Sequence, residues 1–118
     1  MALSFPSHLI LQGDIFWADL NPIQGSEQSG VRPVLVIQNN ILNDRMNTVV
    51  IFPITTNLNA KDKMTTFFLS APLTGLPQDS VALLFPVRTI DKSRLRQKVG
   101  NISPQDLLEI KERFSYVL

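Results

Sequence analysis

The sequence contains no cysteine among its 118 residues. That absence removes thiolate nucleophiles, cysteine-ligated zinc and disulfides. A secreted domain of this size more often carries disulfide staples, so the chain reads as cytoplasmic. Histidine occurs once, as His8, and one imidazole cannot supply a two-histidine acid–base pair or a multi-histidine metal site. Neither sign of charge is in excess: 11 Lys and Arg face 10 Asp and Glu, a formal net charge of +1. Any attraction to phosphate therefore has to be local. No apolar run approaches the roughly 18 residues needed to span a bilayer. Residues 1–12 lack a basic n-region and hold only the short run Leu9-Ile10-Leu11, so neither export nor membrane insertion is expected. Glycine is sparse, 5 against 8 prolines. Prolines interrupt helices and central strands, which points to short elements joined by fixed turns rather than a long helical bundle.

With 44% hydrophobic residues, a chain of this length fits one compact domain, read as residues 13–118 behind an N-terminal arm, 1–12. Mixed aromatic and branched residues predict a strand over 13–20, stopped by Asn21-Pro22. The continuous apolar run 31–37 predicts a strand covered on both faces. Pro33 belongs at its first pairing position or on an edge, because proline gives the ladder no N–H. Further strands are expected over 48–54, 65–69 and 80–85, with a sixth over 87–90 or around 98–101. Residues 39–47 place Ile41, Leu42 and Met46 at near-helical spacing, consistent with one helical turn or an irregular connection, and 57–63 reads as a loop. Ser103-Pro104-Gln105-Asp106 sets a capping serine, a first-turn proline and a third-position carboxylate ahead of Leu107, Ile110, Phe114 and Val117. This predicts a C-terminal amphipathic helix whose apolar stripe packs on the domain or on a partner. The expected fold is mainly β with a C-terminal helix, a small barrel.

Three places could carry chemistry. In the polar segment Gln24-Gly25-Ser26-Glu27-Gln28-Ser29-Gly30, the side chains of Ser26, Glu27 and Gln28 offer hydrogen-bonding groups just before Arg32 opens a strand. An arginine stays protonated and can fork onto a phosphate with two parallel N–H bonds; alternatively it is a structural partner of Asp14, Asp19 or Glu27. Thr55, in Pro53-Ile54-Thr55-Thr56, ends a strand where its hydroxyl can point into a cleft or simply form a turn. Residues 88–98 gather Arg88, Lys92, Arg94, Arg96 and Lys98 around one carboxylate, Asp91. Such a patch could neutralise phosphates or an acidic protein segment, or be a solvated face partly paired to Asp79 and Asp91. Trp17, Phe16, Phe67 and Phe68 could stack on bases or belong to the core.

Taken together, Gly13-Asp14-Ile15-Phe16-Trp17-Ala18-Asp19-Leu20-Asn21-Pro22, Gly25-Ser26-Glu27-Gln28, Arg32-Pro33-Val34-Leu35-Val36-Ile37-Gln38-Asn39, Pro53-Ile54-Thr55 and Arg88-Thr89-Ile90-Asp91-Lys92-Ser93-Arg94-Leu95 resemble the MazF/PemK family of toxin endoribonucleases. The match runs in order from Gly13 to the final helix; residues 1–12 have no counterpart. The resemblance implies a homodimeric SH3-like or CcdB-like barrel that cuts single-stranded RNA at a short recognition sequence. It further implies cleavage without metal or other cofactor, and inhibition by a cognate acidic antitoxin. Family roles map onto Arg32 and Thr55 as the catalytic pair, with Ser26, Glu27 and Gln28 close to RNA; the charge patch offers Arg88, Lys92 and Arg94 as further substrate contacts. Nothing maps onto Thr56. Two other readings use the same barrel: a gyrase-binding toxin of the CcdB type, and a non-catalytic nucleic-acid-binding barrel. The CcdB group ends in Trp-Gly-Ile, whereas this chain ends Ser115-Tyr116-Val117-Leu118.

Overall fold

The computed structural model describes residues 9–20 and 30–118. Seven antiparallel strands form the sheet: β1 (Asp14–Asp19), β2 (Val31–Val36), β3 (Thr48–Thr55), β4 (Thr66–Leu69), β5 (Ser80–Leu83), β6 (Arg88–Asp91) and β7 (Leu95–Asn101). Both alternatives for the last strand are realised, as β6 and β7. In the ladder β6–β3–β2–β1–β7, a single 3₁₀ turn (Lys92–Arg94) runs from β6 straight into β7. The two ends of the ladder are thereby brought together, and the sheet curls into a small SH3-like barrel. β3 is long enough to serve twice: Thr48 to Ile51 pair with β6, while Ile54 and Thr55 pair with β5, which also carries β4.

Side chains alternate across a strand, and here both faces are filled. Phe16, Ala18, Val34, Val36, Val49, Ile51, Ile90 and Leu95 form one core inside the barrel, joined by Ile10 and Leu20. Ile15, Leu35, Phe52 and Ile54 face the other way, into a second core with Phe67, Leu69, Ala82, Leu84 and Ile110. That double burial is why the middle of β2 reads as an uninterrupted apolar run. It extends only over 34–36: Val31 and Arg32 are exposed, so the strand opens at the surface. Pro33 lies opposite Trp17 of β1 and before the first residue paired with β3, Val34, so its missing N–H leaves no gap in that ladder. Ile10 is buried, and the Gln12 N–H donates to Asn40 Oδ1 at 2.7 Å. The end of the N-terminal arm is thus built into the domain.

Two short helices and one longer one complete the fold. In α1 (Asn40–Arg45) the Asn39 side chain accepts from Leu42 N–H at 2.9 Å. Its apolar residues do not make a buried stripe: Ile41 is 70% exposed, and Leu42 and Met46 face solvent. The buried member is Asn43, which exchanges hydrogen bonds with Gln38 at 2.9 and 2.8 Å and whose carbonyl accepts from the Lys92 ammonium. One and a half turns are too short for a helical stripe, and a closed polar network takes the inner face.

α2 (Ala71–Thr74) ends on Gly75, whose φ of 89° is the left-handed cap glycine allows. It abuts β7 so closely that a Cβ on Gly100 would lie 1.9 Å from the Thr74 carbonyl oxygen. α3 (Pro104–Ser115) starts as its sequence predicts, with Ser103 Oγ accepting from Asp106 N–H at 3.1 Å. It buries Ile110 and packs Leu107 and Phe114 on the chain's own second core, with Phe114 edge-on to Phe52 at 5.1 Å.

Candidate active site

The β2–β3 register pairs Val36 with Ile51, Leu35 with Phe52 and Val34 with Pro53. Continued two residues, it sets Arg32 opposite Thr55. Alternation places Arg32 on the face of Val34 and Thr55 on the face of Ile51, both residues of the barrel interior. Ala18, opposite Arg32, and Arg88, opposite Ile51, share that face. Arg32, near the start of β2, and Thr55, at the end of β3, therefore lie on one face, which Arg88 shares four residues further back along β3, opposite Ile51. Arg32 is exposed; Thr55 and Arg88 are half-buried.

The remaining cations of 88–98 do not form a continuous patch. Lys92 is buried beneath α1, its ammonium donating to the Asn43 carbonyl, so it is withdrawn from the surface a phosphate could reach. Arg94 donates to the Asp19 carbonyl at 3.2 Å, and Arg96 pairs with the Asp19 carboxylate at 3.1 Å. Lys98 pairs with buried Asp14 at 3.2 Å. Asp14 and Asp19, offered by spacing as structural partners of Arg32, thus hold Lys98 and Arg96. Asp79 and Asp91 spend their carboxylates on backbone: Asp79 accepts from Ala71 N–H and Asp91 from Ser93 N–H, each at 2.8 Å. The Ser93 side chain and then its N–H hold Asp91 below the ordinary carboxylate pKa.

Ser26, Glu27 and Gln28 lie outside the described residues. On either side of them, Leu20 N–H donates to the Gly30 carbonyl at 2.9 Å and Asp19 faces Val31 across the ladder, on the edge where Arg32 stands. On that edge opens a cavity of about 230 Å³ lined by Trp17, Val31, Arg32, Pro33, Thr56, Leu76, Pro77, Gln78 and Ser80. Thr56, Gln78 and Ser80 were not singled out by the sequence. The only local signal was the adjacency of Thr56 to Thr55; Gln78 and Ser80 arrive through the α2–β5 connection. Among the aromatic candidates, Phe16 and Phe67 are core, while Phe68 is exposed beneath the Lys61 ammonium at 5.5 Å.

Among the described residues no three His, Asp or Glu side chains gather in a metal-binding arrangement, and no helix is long and apolar enough to cross a membrane. A permanent cation, Arg32, and a hydroxyl, Thr55, share one face near the ends of β2 and β3, and Arg32 also lines a part-apolar cavity. These are groups for binding a phosphodiester and stabilising charge on it.

Residues 11–118 match the family described as PemK-like, MazF-like toxin of type II toxin–antitoxin system. The chain belongs to this family. It is 41% identical over 102 residues to Endoribonuclease MazF of Staphylococcus epidermidis, covering 86% of this chain and 85% of the relative. The structure of MazF from Deinococcus radiodurans superposes with a TM-score of 0.74 at 25% identity, covering 92% of this chain and 94% of that one. A MazE–MazF structure from the same organism gives the same score, identity and coverage.

Proposed function

We propose that this endoribonuclease of the PemK/MazF toxin family cuts single-stranded RNA at a short sequence by attack of the substrate's own 2′-hydroxyl. The 2′ oxygen bonds to the adjacent phosphorus as the bond to the 5′ oxygen breaks, leaving a 2′,3′-cyclic phosphate and a 5′-hydroxyl. The 2′ proton passes to water or a nearby loop group, and a proton reaches the departing oxygen. The nucleophile is intramolecular and already close to phosphorus, so the reaction calls for no metal-bound water.

What supports this reading is the β2–β3 register, which, carried two residues beyond its last pair, Val34–Pro53, brings Arg32 across from Thr55. Arg32 places a fixed positive charge and a forked donor on the non-bridging oxygens as negative charge builds there. A guanidinium with a pKa above about 12 is a poor base, so its first role is electrostatic. The Thr55 hydroxyl donates to the same phosphate or to the leaving oxygen. Arg88 and Arg94 add positive potential, and Ser26, Glu27 and Gln28 are further substrate contacts. Buried Lys92 supports the scaffold.

The toxin acts in the cytoplasm as a homodimer with RNA lying along its two-fold interface. Its activity is held off by an acidic antitoxin segment that crosses the arginine-rich rim and folds on binding, as the MazE–MazF pairing of the Deinococcus relative suggests. The deciding experiment digests matched oligonucleotides in EDTA: an all-RNA strand, the same strand with one 2′-deoxy residue at the cut, and DNA. Only the first is expected to be cut, with cyclic phosphate and 5′-hydroxyl ends by mass spectrometry. Cleavage of the 2′-deoxy strand, or loss of all RNA cleavage in EDTA, would overturn the mechanism.

A further inference from the structure

We infer that Asn57 is a positioning residue that sets the Thr55 hydroxyl as a hydrogen-bond donor toward the scissile phosphate; the inference rests on the role given to Thr55 above. The Asn57 backbone N–H donates to Thr55 Oγ1 at 3.1 Å. Asn57 is itself held. Its Oδ1 accepts from Asn59 N–H at 3.1 Å, capping the 3₁₀ turn Leu58–Ala60, and its carbonyl accepts from Ala60 N–H at 3.1 Å. The side chain of Asn57 thus fixes the peptide whose N–H reaches Thr55.

A hydroxyl has one proton and two acceptor positions. With one acceptor position occupied by an amide, the oxygen is anchored in one rotamer and its O–H bond is polarised outward. Among the described residues, the Thr55 hydroxyl donates to no acceptor, so its proton is available to a bound phosphate. Without the anchor the hydroxyl rotates among its wells and spends part of its time accepting rather than donating. Asn57 lies on the exposed loop after β3 and contributes nothing to either core, so its substitution tests orientation rather than packing.

The test is a double-mutant cycle read by single-turnover cleavage of an RNA oligonucleotide at saturating enzyme. N57A, which loses the cap, is expected to lower the cleavage rate about threefold to fivefold, the worth of one weakened neutral hydrogen bond. N57S keeps a capping oxygen and is expected to stay near the wild-type rate. N57P removes the N–H itself at a residue whose φ of −75° suits proline, and its loss is expected to reach about tenfold. Substrate affinity is expected to be unchanged in all three. In a T55V background each Asn57 substitution is expected to have no further effect, whereas a merely structural role would subtract equally from both backgrounds. Equal losses in both backgrounds, or a wild-type rate for N57P while T55V is impaired, would overturn this inference and leave the assignment of Thr55 standing. A wild-type rate for T55V would overturn that assignment itself.

Discussion

Replacing Gly100 by alanine adds one methyl group at the place where β7 meets the end of α2. That Cβ would fall 1.9 Å from the Thr74 carbonyl oxygen and 3.0 Å from its carbon. To reach even 3.0 Å from the oxygen, the two segments have to separate by more than an ångström. Both are backbone, so no side-chain rotation relieves the clash. Thr74 is anchored by its hydroxyl to the Ser70 carbonyl at 2.8 Å, and β7 is held along β1. Overpacking against backbone is expected to cost about 3 kcal/mol, the upper end of the range for an added methylene, and at ~4 °C per kcal/mol for a chain of this size the melting temperature falls by about 12 °C. The α2–β5 connection also carries Leu76, Pro77 and Gln78 to the cavity beside Arg32, so RNA cleavage by the folded fraction is expected to weaken as well. Gly30→Ala is the control: a Cβ there meets nothing within 4 Å among the described residues, although its φ is +97°, and the conformational cost is roughly 1–2 kcal/mol. Thermal unfolding by circular dichroism at one fixed protein concentration measures both. Should Gly100→Ala melt within 2–3 °C of the wild type, or above Gly30→Ala (about 1 kcal/mol resolves the two), the steric argument for this closure is wrong.

Arg32→Ala is expected to slow cleavage on the order of a hundredfold, about 3 kcal/mol, with Arg32→Lys recovering part of the loss because charge returns without the fork. Thr55→Val is expected to lose roughly tenfold to a hundredfold; initial rates on folded protein check all three. Lys92→Met strands the buried Asn43 carbonyl and is expected to cost about 1–3 kcal/mol in urea unfolding, with cleavage per folded molecule unchanged. The Asp91 carboxyl titrates below its ordinary value in the folded chain. Its contribution to stability is therefore present at neutral pH and is lost as pH falls through the acid range to below the folded pKa. The stability difference between wild type and Asp91→Asn is accordingly expected to shrink toward acid when the two are compared across that range. Affinity for an acidic antitoxin is expected to fall as salt rises from about 0.05 to 0.5 M; a flat response by calorimetry would remove the electrostatic part of the recognition.

Local chemistry was legible in the chain without coordinates. Ser103, Pro104 and Asp106 define the start of α3 because a helix terminus is satisfied by neighbours in sequence. The apolar run of β2 announces burial on two faces because every second side chain meets a different core. The order of its motifs points to the toxin family, and with it to Arg32 and Thr55, although nothing in the spacing of residues 32 and 55 says that their strands are neighbours. That depends on the β2–β3 register, a long-range pairing that no local pattern encodes. The same holds for the cations of 88–98: adjacent in sequence, they are separated by the turn from β6 to β7, which buries Lys92 and ties Arg94 and Arg96 to Asp19. For α1, the spacing of Ile41, Leu42 and Met46 is consistent with a helical turn, but the fold gave the inner face to Asn43, because the groups beneath it are the polar ones of Gln38 and Lys92. Sequence determined which segments become strands, where the last helix begins and which side chains have the chemistry to hold a phosphate. Tertiary structure decided which of them share one face, since registry and strand alternation, not proximity along the chain, set the direction in which each side chain points.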